Sequence, residues 1–571
     1  MAKSFKQTGR KTGLASATPF KLAGAGMLCL ALVACGGSDD DHDNNNGNVP
    51  PAATAPGDVV VLTAAGQLAS FNRTAPQTFL SSVALSGLAT TTETLVGMDF
   101  RPADNLLYGI STTGVIYTIN PVTGVATRKS ALAPATAGGA AVVLNGTSFG
   151  VDFNPAADRL RVISNTGQSL RINVDTGATI VDGIVTAPAG AATAAVTAAA
   201  YTNSFAGTVG TALYDIDTVN DLVYLQNPPN DGTLTTPVPL GVDASAANGF
   251  DIDATTNQGF AALTVGGVTG LYAINLAPVP ATPGAAVRAA TLINPIGTGT
   301  AVGGLAMRQK AGPTMVGLTS DSRLVSFKPA TPGTLTSNVA ITGLAAGETV
   351  VGIDQRPADG KVYGLSSTGR LFTVLPATGV ATVVATLAAD PADTTAPYTT
   401  FPAAGTTFSV DFNPVADRLR VITSTGASLR INVATGATTT DGNINRAGGA
   451  PVVAAAAYTN SFAGTTATAL YDMERTSNVL SLQNPPNDGT LVDVGPLGTT
   501  IGTRVGFDIG GGANGLAVAT SSTTATGPSK LFSVNIATGA LTAITPAAPD
   551  ASTGLVGGAA GPLLTDIAVV F

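Results

Sequence analysis

Between positions 95 and 129 the hydrophobic and polar residues follow a strand rhythm, broken at short intervals by turn residues. Leu-Val-Gly-Met-Asp-Phe reads as a strand, Ala-Asp-Asn as a turn, Leu-Leu-Tyr-Gly-Ile-Ser as a second strand and Thr-Thr-Gly as another turn. Val-Ile-Tyr-Thr-Ile-Asn then alternates with a period of two, Pro-Val-Thr-Gly turns, and Val-Ala-Thr-Arg-Lys begins a fourth strand. The plan returns at 148–154, 158–164, 169–174 and 178–181. Four short antiparallel strands, about every 40 residues, make the rhythm of a propeller blade.

A longer repeat encloses this one. Asp-Phe-Asn-Pro-Ala-Ala-Asp-Arg-Leu-Arg-Val-Ile at 152–163 returns, with Val for one Ala, at 411–422. Tyr-Thr-Asn-Ser-Phe-Ala-Gly-Thr at 201–208 returns at 458–465, and Gln-Asn-Pro-Pro-Asn-Asp-Gly-Thr-Leu at 226–234 returns at 483–491. Two copies therefore run in register. The first holds a partial blade at 58–85, blades near 93–133, 147–183, 196–241 and 247–294, and a spare strand at 301–307. The second holds 314–341, blades near 348–388, 405–441, 453–497 and 504–544, and a spare strand at 564–571. The expected fold is all-β: two tandem five-bladed β-propellers, each closed by its last strand pairing with its first blade. Closure would remove the unpaired edges that invite aggregation. A single ring of ten units, or a pair of β-sandwiches, fits the spare strands and the spacing less well.

The expected domains are a lipoprotein signal peptide at 1–34, a lipidated Cys35 with a tether at 35–56, a first propeller at 57–308 and a second at 313–571. Lys3, Lys6, Arg10, Lys11 and Lys21 form a basic leader, and an apolar run too short to span a bilayer follows. It ends in Leu-Val-Ala-Cys, which resembles the bacterial lipobox, with Cys35 as the lipid site. The Asp/Asn/Gly-rich tether has too few apolar residues to build a core. Gly36 favours the outer membrane by resemblance to Gram-negative lipoproteins, with the folded part facing the periplasm or the surface.

Composition narrows the chemistry. The chain holds 27 Lys and Arg against 35 Asp and Glu; without the five basic residues of the leader the balance is −13. Nucleic acid is a poor partner for such a surface. The one histidine, His42, lies in the tether, and the two cysteines, Cys29 and Cys35, lie in the leader and at the lipid site. The folded part thus lacks Ser-His-Asp and Cys-His catalysis and the ordinary zinc, copper or haem ligands. Carboxylate, Arg, Lys, Tyr, Ser/Thr and Asn chemistry remains, together with oxygen-ligated Ca²⁺ or Mg²⁺.

The motifs Asp-Phe-Asn-Pro…Asp-Arg-Leu-Arg-Val, Leu-Arg-Ile-Asn-Val…Thr-Gly-Ala-Thr…Asp-Gly, Ala-Tyr-Thr-Asn-Ser-Phe-Ala-Gly and Leu-Gln-Asn-Pro-Pro-Asn-Asp-Gly-Thr-Leu together resemble the DUF4394 family. That is a domain of unknown function in secreted bacterial proteins. The resemblance covers both copies and implies no catalytic or binding residues.

The leading candidate cluster is Asp152, Asp158, Arg159, Arg161 and Arg171, with twins Asp411, Asp417, Arg418, Arg420 and Arg430. Arg159 and Arg161 share a strand face, and Arg171 follows on the next strand. Three guanidinium groups near two carboxylates suit a substrate carboxylate or an acidic sugar. The same residues also suit a turn capped by Asp158 and ion pairs between blades. The 226–232 loop and the Tyr201, Asn203, Ser204, Phe205 motif have turn and packing roles beside any contact with a glycan or peptide. Asp215 with Asp217, and Asp251 with Asp253, are Asp-x-Asp pairs compatible with Ca²⁺, but their twins at Glu474 and Gly510 break the pattern. No cofactor is assigned and no metal ligand set is complete. Asp99/Asp354 and Asp152/Asp411 have the residue type for paired-acid hydrolysis. Two functions follow: a lipid-anchored envelope scaffold that binds a glycan or an envelope protein, or a carboxylate- and Arg-dependent enzyme acting on an envelope polymer.

Overall fold

The computed structural model describes residues 57–571 apart from 277–287, 309–311, 403–405, 448, 512–514, 525 and 548. The leader, Cys35 and the tether lie outside the described residues. The described chain is all-β, with three one-turn 3-10 segments at Pro229–Asp231, Pro486–Asp488 and Gly558–Ala560. No helix among the described residues is long and apolar enough to cross a membrane.

The strands form ten sheets of four or five strands, five from each copy, in a propeller-like arrangement. Within a sheet the strands follow the chain from inside to outside, as in Leu95–Phe100, Leu107–Ser111, Val115–Ile119 and Ala126–Ala131. Strand pairing within the sheets is antiparallel except for two-residue parallel additions, Ala133–Pro134 and Ala388–Ala389, at the outer edge of each copy's third sheet. The first sheet of each copy is completed from the other end of that copy. Val302–Met307 pairs with Val59–Thr63, and Leu564–Val570 pairs with Thr314–Thr319.

Burial falls from inside to outside, which explains the residue types. Innermost strands such as Val196–Tyr201 and Val453–Tyr458 are buried along their whole length and carry small or apolar residues on both faces. Outer strands such as Leu335–Ala340 alternate between half-buried and exposed positions. In each copy the innermost strands touch one another in cyclic order around an axis. The core is accordingly split into wedges between neighbouring sheets. Tyr108, Ile110, Val151, Phe153 and Leu160 fill the wedge between the second and third sheets. Tyr214, Phe250, Ile252 and Leu263 belong to the wedge between the fourth and fifth.

The two copies also meet. Phe205, from the Tyr-Thr-Asn-Ser-Phe motif, is fully buried and packs among second-copy residues including Met315, Phe327 and Val569. Its ring meets Phe571 edge-on at 6.2 Å and 78°. The twin Phe462 is only half-buried. The motif therefore packs between copies at one of its two occurrences.

Removing 564–571 would strip Leu564, Ile567 and Val569 from a buried cluster and leave the Thr314–Thr319 edge unpaired. The expected result is a lower unfolding temperature and concentration-dependent oligomers, read by calorimetry and light scattering. A monomer of unchanged stability would contradict this role for the last strand.

Candidate functional site

Arg161 lies on Arg159–Ser164 and is the direct cross-strand partner of Arg171 on Ser169–Ile172. Directly opposed residues share a sheet face, and this one is turned toward the fourth sheet. Arg161 is 1% exposed. Its Nε donates to Tyr201 Oη at 3.0 Å, Nη1 to Ser169 Oγ at 2.9 Å and Asp182 Oδ2 at 2.5 Å, and Nη2 to Asn230 Oδ1 at 2.8 Å. Arg171 grips the same Asp182 with Nε at 2.6 Å and Nη2 at 2.7 Å.

The second copy repeats the arrangement. Arg420 donates to Tyr458 Oη at 3.1 Å, Ser428 Oγ at 2.9 Å, Asn487 Oδ1 at 2.8 Å and Asp441, while Arg430 holds Asp441 at 2.6 and 2.8 Å. The three motifs that the chain says twice thus converge on one guanidinium. Arg161 comes from the Asp-Arg-Leu-Arg motif, Tyr201 from Tyr-Thr-Asn-Ser-Phe, and Asn230 from the Asn-Pro-Pro-Asn-Asp-Gly loop. In both copies this wedge also holds the smallest of the buried hydrophobic clusters, so a polar hub stands where the others have apolar packing.

The candidate cluster read from the sequence therefore splits. Arg161 and Arg171 meet each other through Asp182, which the sequence reading did not single out, and Arg420 and Arg430 meet through Asp441. Asp158 instead receives a forked pair of bonds from Arg101 of the preceding sheet at 2.8 and 2.6 Å. Asp417 pairs likewise with Arg356. Arg159 turns back onto the carbonyls of Ala157 and Asp158, and Arg418 onto those of Ala416 and Asp417. The turn is capped not by Asp158 but by Asn154, whose Oδ1 accepts the Ala156 and Ala157 amides at 3.0 and 2.8 Å. Asp152 and Asp411 point elsewhere, to the axis.

Neither Asp-x-Asp pair converges. Asp217 accepts the Val219 and Asn220 amides, whereas neither oxygen of the fully buried Asp215 has a partner among the described residues. Burial pushes Asp215 up to about 8 even though Arg161 opposes the shift, and Asp472 behaves identically beside Arg420. Asp253 binds Arg73 at 2.6 Å, while Asp251 faces the axis.

At the axis of the first copy, Asp99, Asp152 and Asp251 bring carboxylate oxygens within 4.8 Å of one another, and all three are buried. Each carboxylate accepts an amide of the next innermost strand: Asp99 from Phe153 at 2.8 Å, Asp152 from Tyr201 at 3.1 Å and Asp251 from Met307 at 2.6 Å. Those amides lie on the free edge of their own sheet, so the acids supply partners that no strand supplies. Asp152 Oδ2 has no partner among the described residues. Burial first, then the neighbouring acids, hold Asp99 and Asp152 well above the usual carboxylate range, and burial brings Asp251 to about 7. Asp354, Asp411 and Asp508 repeat the triad and its bonds, to Phe412, Tyr458 and Val569. The second copy adds Asp566 at the register position of Gly304, bonded to the Ile353 amide at 3.0 Å.

A cavity of about 290 Å³ lies at the start of the first copy's innermost strands, lined by Thr94, Thr112, Thr147, Ser148, Thr197 and Asn248 together with glycines and apolar residues such as Val96, Phe149 and Leu305. Its counterpart of about 260 Å³ is lined by Thr319, Ser320, Thr349, Thr406, Thr407 and Thr503, with Arg504 as its one charged side chain.

Arg161→Met would leave Asn230 and Tyr201 without this donor and Asp182 held by Arg171 alone. Breaking a buried pair of this kind costs about 3–5 kcal/mol, so unfolding should shift markedly, while Arg159→Met, losing only carbonyl contacts, should shift it little. Equal, small effects would overturn the hub. For Asp215, the folded state keeps the proton up to about pH 8, whereas the ordinary value of the free group is 3.8. Folded chains therefore bind more protons between these limits, and stability falls as pH rises through 8. In EDTA, Asp215→Asn/Asp472→Asn should flatten the decline in unfolding temperature from pH 5 to 8; an unchanged slope would place the titration elsewhere.

Comparison with other proteins adds a family but no activity. No curated protein matches the chain by sequence. Among solved structures, one described as the extracellular domain of a hybrid two component system (BT4673) from B. thetaiotaomicron is 9% identical, with a TM-score of 0.24, over 89% of this chain and 72% of that one. The Dos1 propeller is 9% identical, with a TM-score of 0.21, over 62% of this chain and 82% of that one. Likenesses of this degree carry no functional argument. The family model described as "Domain of unknown function (DUF4394)" matches residues 67–306 and again 323–555. With both copies of the Arg hub and the axial triad falling inside those two regions, the chain belongs to the DUF4394 family, which it carries twice.

Proposed function

We propose that this chain is a lipid-anchored protein of the bacterial outer membrane that binds a polar ligand, a glycan terminus being the class that fits, at the mouths of two channels. In this reading 57–308 and 313–571 are five-bladed propellers, each closed by its last strand. Cys35 carries the lipid, and the tether at 35–56 holds the rings off the membrane.

One observation carries the ligand reading. The same end of the axis in both copies opens into a cavity that gathers several hydroxyl side chains among apolar residues, about 290 and 260 Å³ in size. Hydroxyls and an amide are donors and acceptors that sugar hydroxyls pair with, and a small mouth suits a chain end. The Arg residues support the same placement by default. Arg161 and Arg420 already spend their donors on protein partners, so a ligand site is better sought at the mouths. Two such mouths on one chain would add avidity without new contacts.

The crowded axial acids favour a second reading, carboxylate-dependent cleavage of a bound polymer. Against it, each acid is committed to a neighbouring amide.

The test is binding of the full chain in detergent to glycan and peptidoglycan arrays, beside Thr94→Val/Thr147→Val/Asn248→Ala and Thr349→Val/Thr406→Val. Binding weakened at least tenfold at unchanged unfolding temperature supports the channel mouths. Binding indifferent to these changes, or no binding, contradicts them. Release of soluble sugar from a bound ligand would move the assignment to the enzyme.

A further inference from the structure

The axial acids of the first copy do more than satisfy edge amides. Their carboxylate oxygens lie within 4.8 Å of one another, a span that two ligands on opposite sides of one calcium ion occupy at 2.3–2.6 Å each. Asp152 is 1% exposed, and one of its oxygens, Oδ2, lacks any partner among the described residues. An unpartnered carboxylate oxygen at full burial is costly unless a proton or a cation sits against it. Asp99 and Asp251 each give both oxygens to main-chain amides, which fixes their positions and leaves lone pairs for a cation.

Glycines line the cavity close to the acids. Two residues before the three acids stand Gly97, Gly150 and Gly249, and all three line the 290 Å³ cavity together with Gly304. Two of these glycines are required by the tight approach of neighbouring strands. A Cβ at Gly150 would lie 2.5 Å from the Ala199 nitrogen, and one at Gly249 would lie 2.3 Å from the Leu305 nitrogen. The consequence is that these positions put no side chain between the cavity and the acids.

We propose that Asp99, Asp152 and Asp251 bind one hard divalent cation, Ca²⁺ by preference, reached from the channel mouth of the first copy. The donors are all oxygen, with no imidazole or thiolate in the folded part of the chain, which selects Ca²⁺ or Mg²⁺ over the transition metals. Calcium tolerates an irregular set of ligands held by a rigid scaffold, and water in the cavity completes its shell. One divalent ion and one retained proton balance the three carboxylates. This assignment stands whether or not a glycan occupies the mouth.

The experiment is metal uptake by the full chain, stripped with EDTA, equilibrated with CaCl₂ or MgCl₂ and passed through a chelating resin before elemental analysis, with calorimetric titration alongside. Asp152→Asn keeps the oxygen that accepts the Tyr201 amide and removes the charge. It should lose one equivalent of Ca²⁺, or bind it at least tenfold more weakly, with unchanged circular dichroism. Gly304→Asp serves if Asp152→Asn fails to fold. A Cβ there meets nothing nearer than Met98 Cγ at 3.5 Å, and the second copy carries Asp566 at this position. That fourth carboxylate should tighten Ca²⁺ binding. No retained Ca²⁺ and an unfolding temperature indifferent to EDTA would overturn the proposal and leave protons as the only charge on the triad. Uptake unmoved by Asp152→Asn and Gly304→Asp but lost in Asp411→Asn would place the ion in the second copy and overturn it equally.

Discussion

Each innermost strand has a free edge, and the structure depends on what satisfies it. The edge amides face the axis, where no further strand can pair with them. In this chain the partner is a side chain on the neighbouring innermost strand: Asp99 for Phe153, Asp152 for Tyr201, Asp251 for Met307. The second copy uses the same device and extends it one layer with Ser409, which takes the Ala456 amide at 2.6 Å, and with Asp566. Strands are thereby stapled around the axis by acceptors rather than by backbone ladders. The arrangement forces like charges together in a buried place, and so raises their proton affinity and creates a demand for a cation.

The Arg161 hub solves a different problem with the same economy of residues. Between the third and fourth sheets the chain buries its smallest apolar cluster, and one guanidinium beside it ties together a strand, a neighbouring tyrosine, an outer aspartate and a proline-braced loop. Its geometry explains why three separated motifs are kept in both copies. None is a site alone; together they hold one wedge. Asp215, set beside the hub without a hydrogen-bond partner among the described residues, gives that wedge a response to pH.

How much of this could be read from the sequence follows from range. The strands and the β class were legible because alternation and turn chemistry are local. That Arg161 and Arg171 stand side by side was legible because they sit on consecutive strands. Asp182 and Asn230 were not, since each arrives from a loop whose path no periodicity fixes. The axial triad was half visible. Asp99 and Asp152 stood out as duplicated acids, but Asp251 was grouped with Asp253 two positions on, which turns instead to Arg73. The missed signal is a three-residue one: Gly-Met-Asp, Gly-Val-Asp and Gly-Phe-Asp at 97–99, 150–152 and 249–251 lie in the opening strands of the second, third and fifth units of the first copy. Superposing the units would have put the three acids at one level of one axis. Phe205 was legible as a packing residue, but not its contact with the second copy, because contact between copies leaves no local pattern.

The central claim is that carboxylates staple the innermost strands to one another. Residue-resolved hydrogen exchange at Phe153, Tyr201 and Met307 tests it most directly, in the parent chain and in Asp99→Ala. The account predicts slow exchange at all three amides, with Phe153 released selectively when Asp99 loses its acceptor. Exchange as fast as in exposed turns in the parent chain, or protection of Phe153 that survives Asp99→Ala, would contradict it.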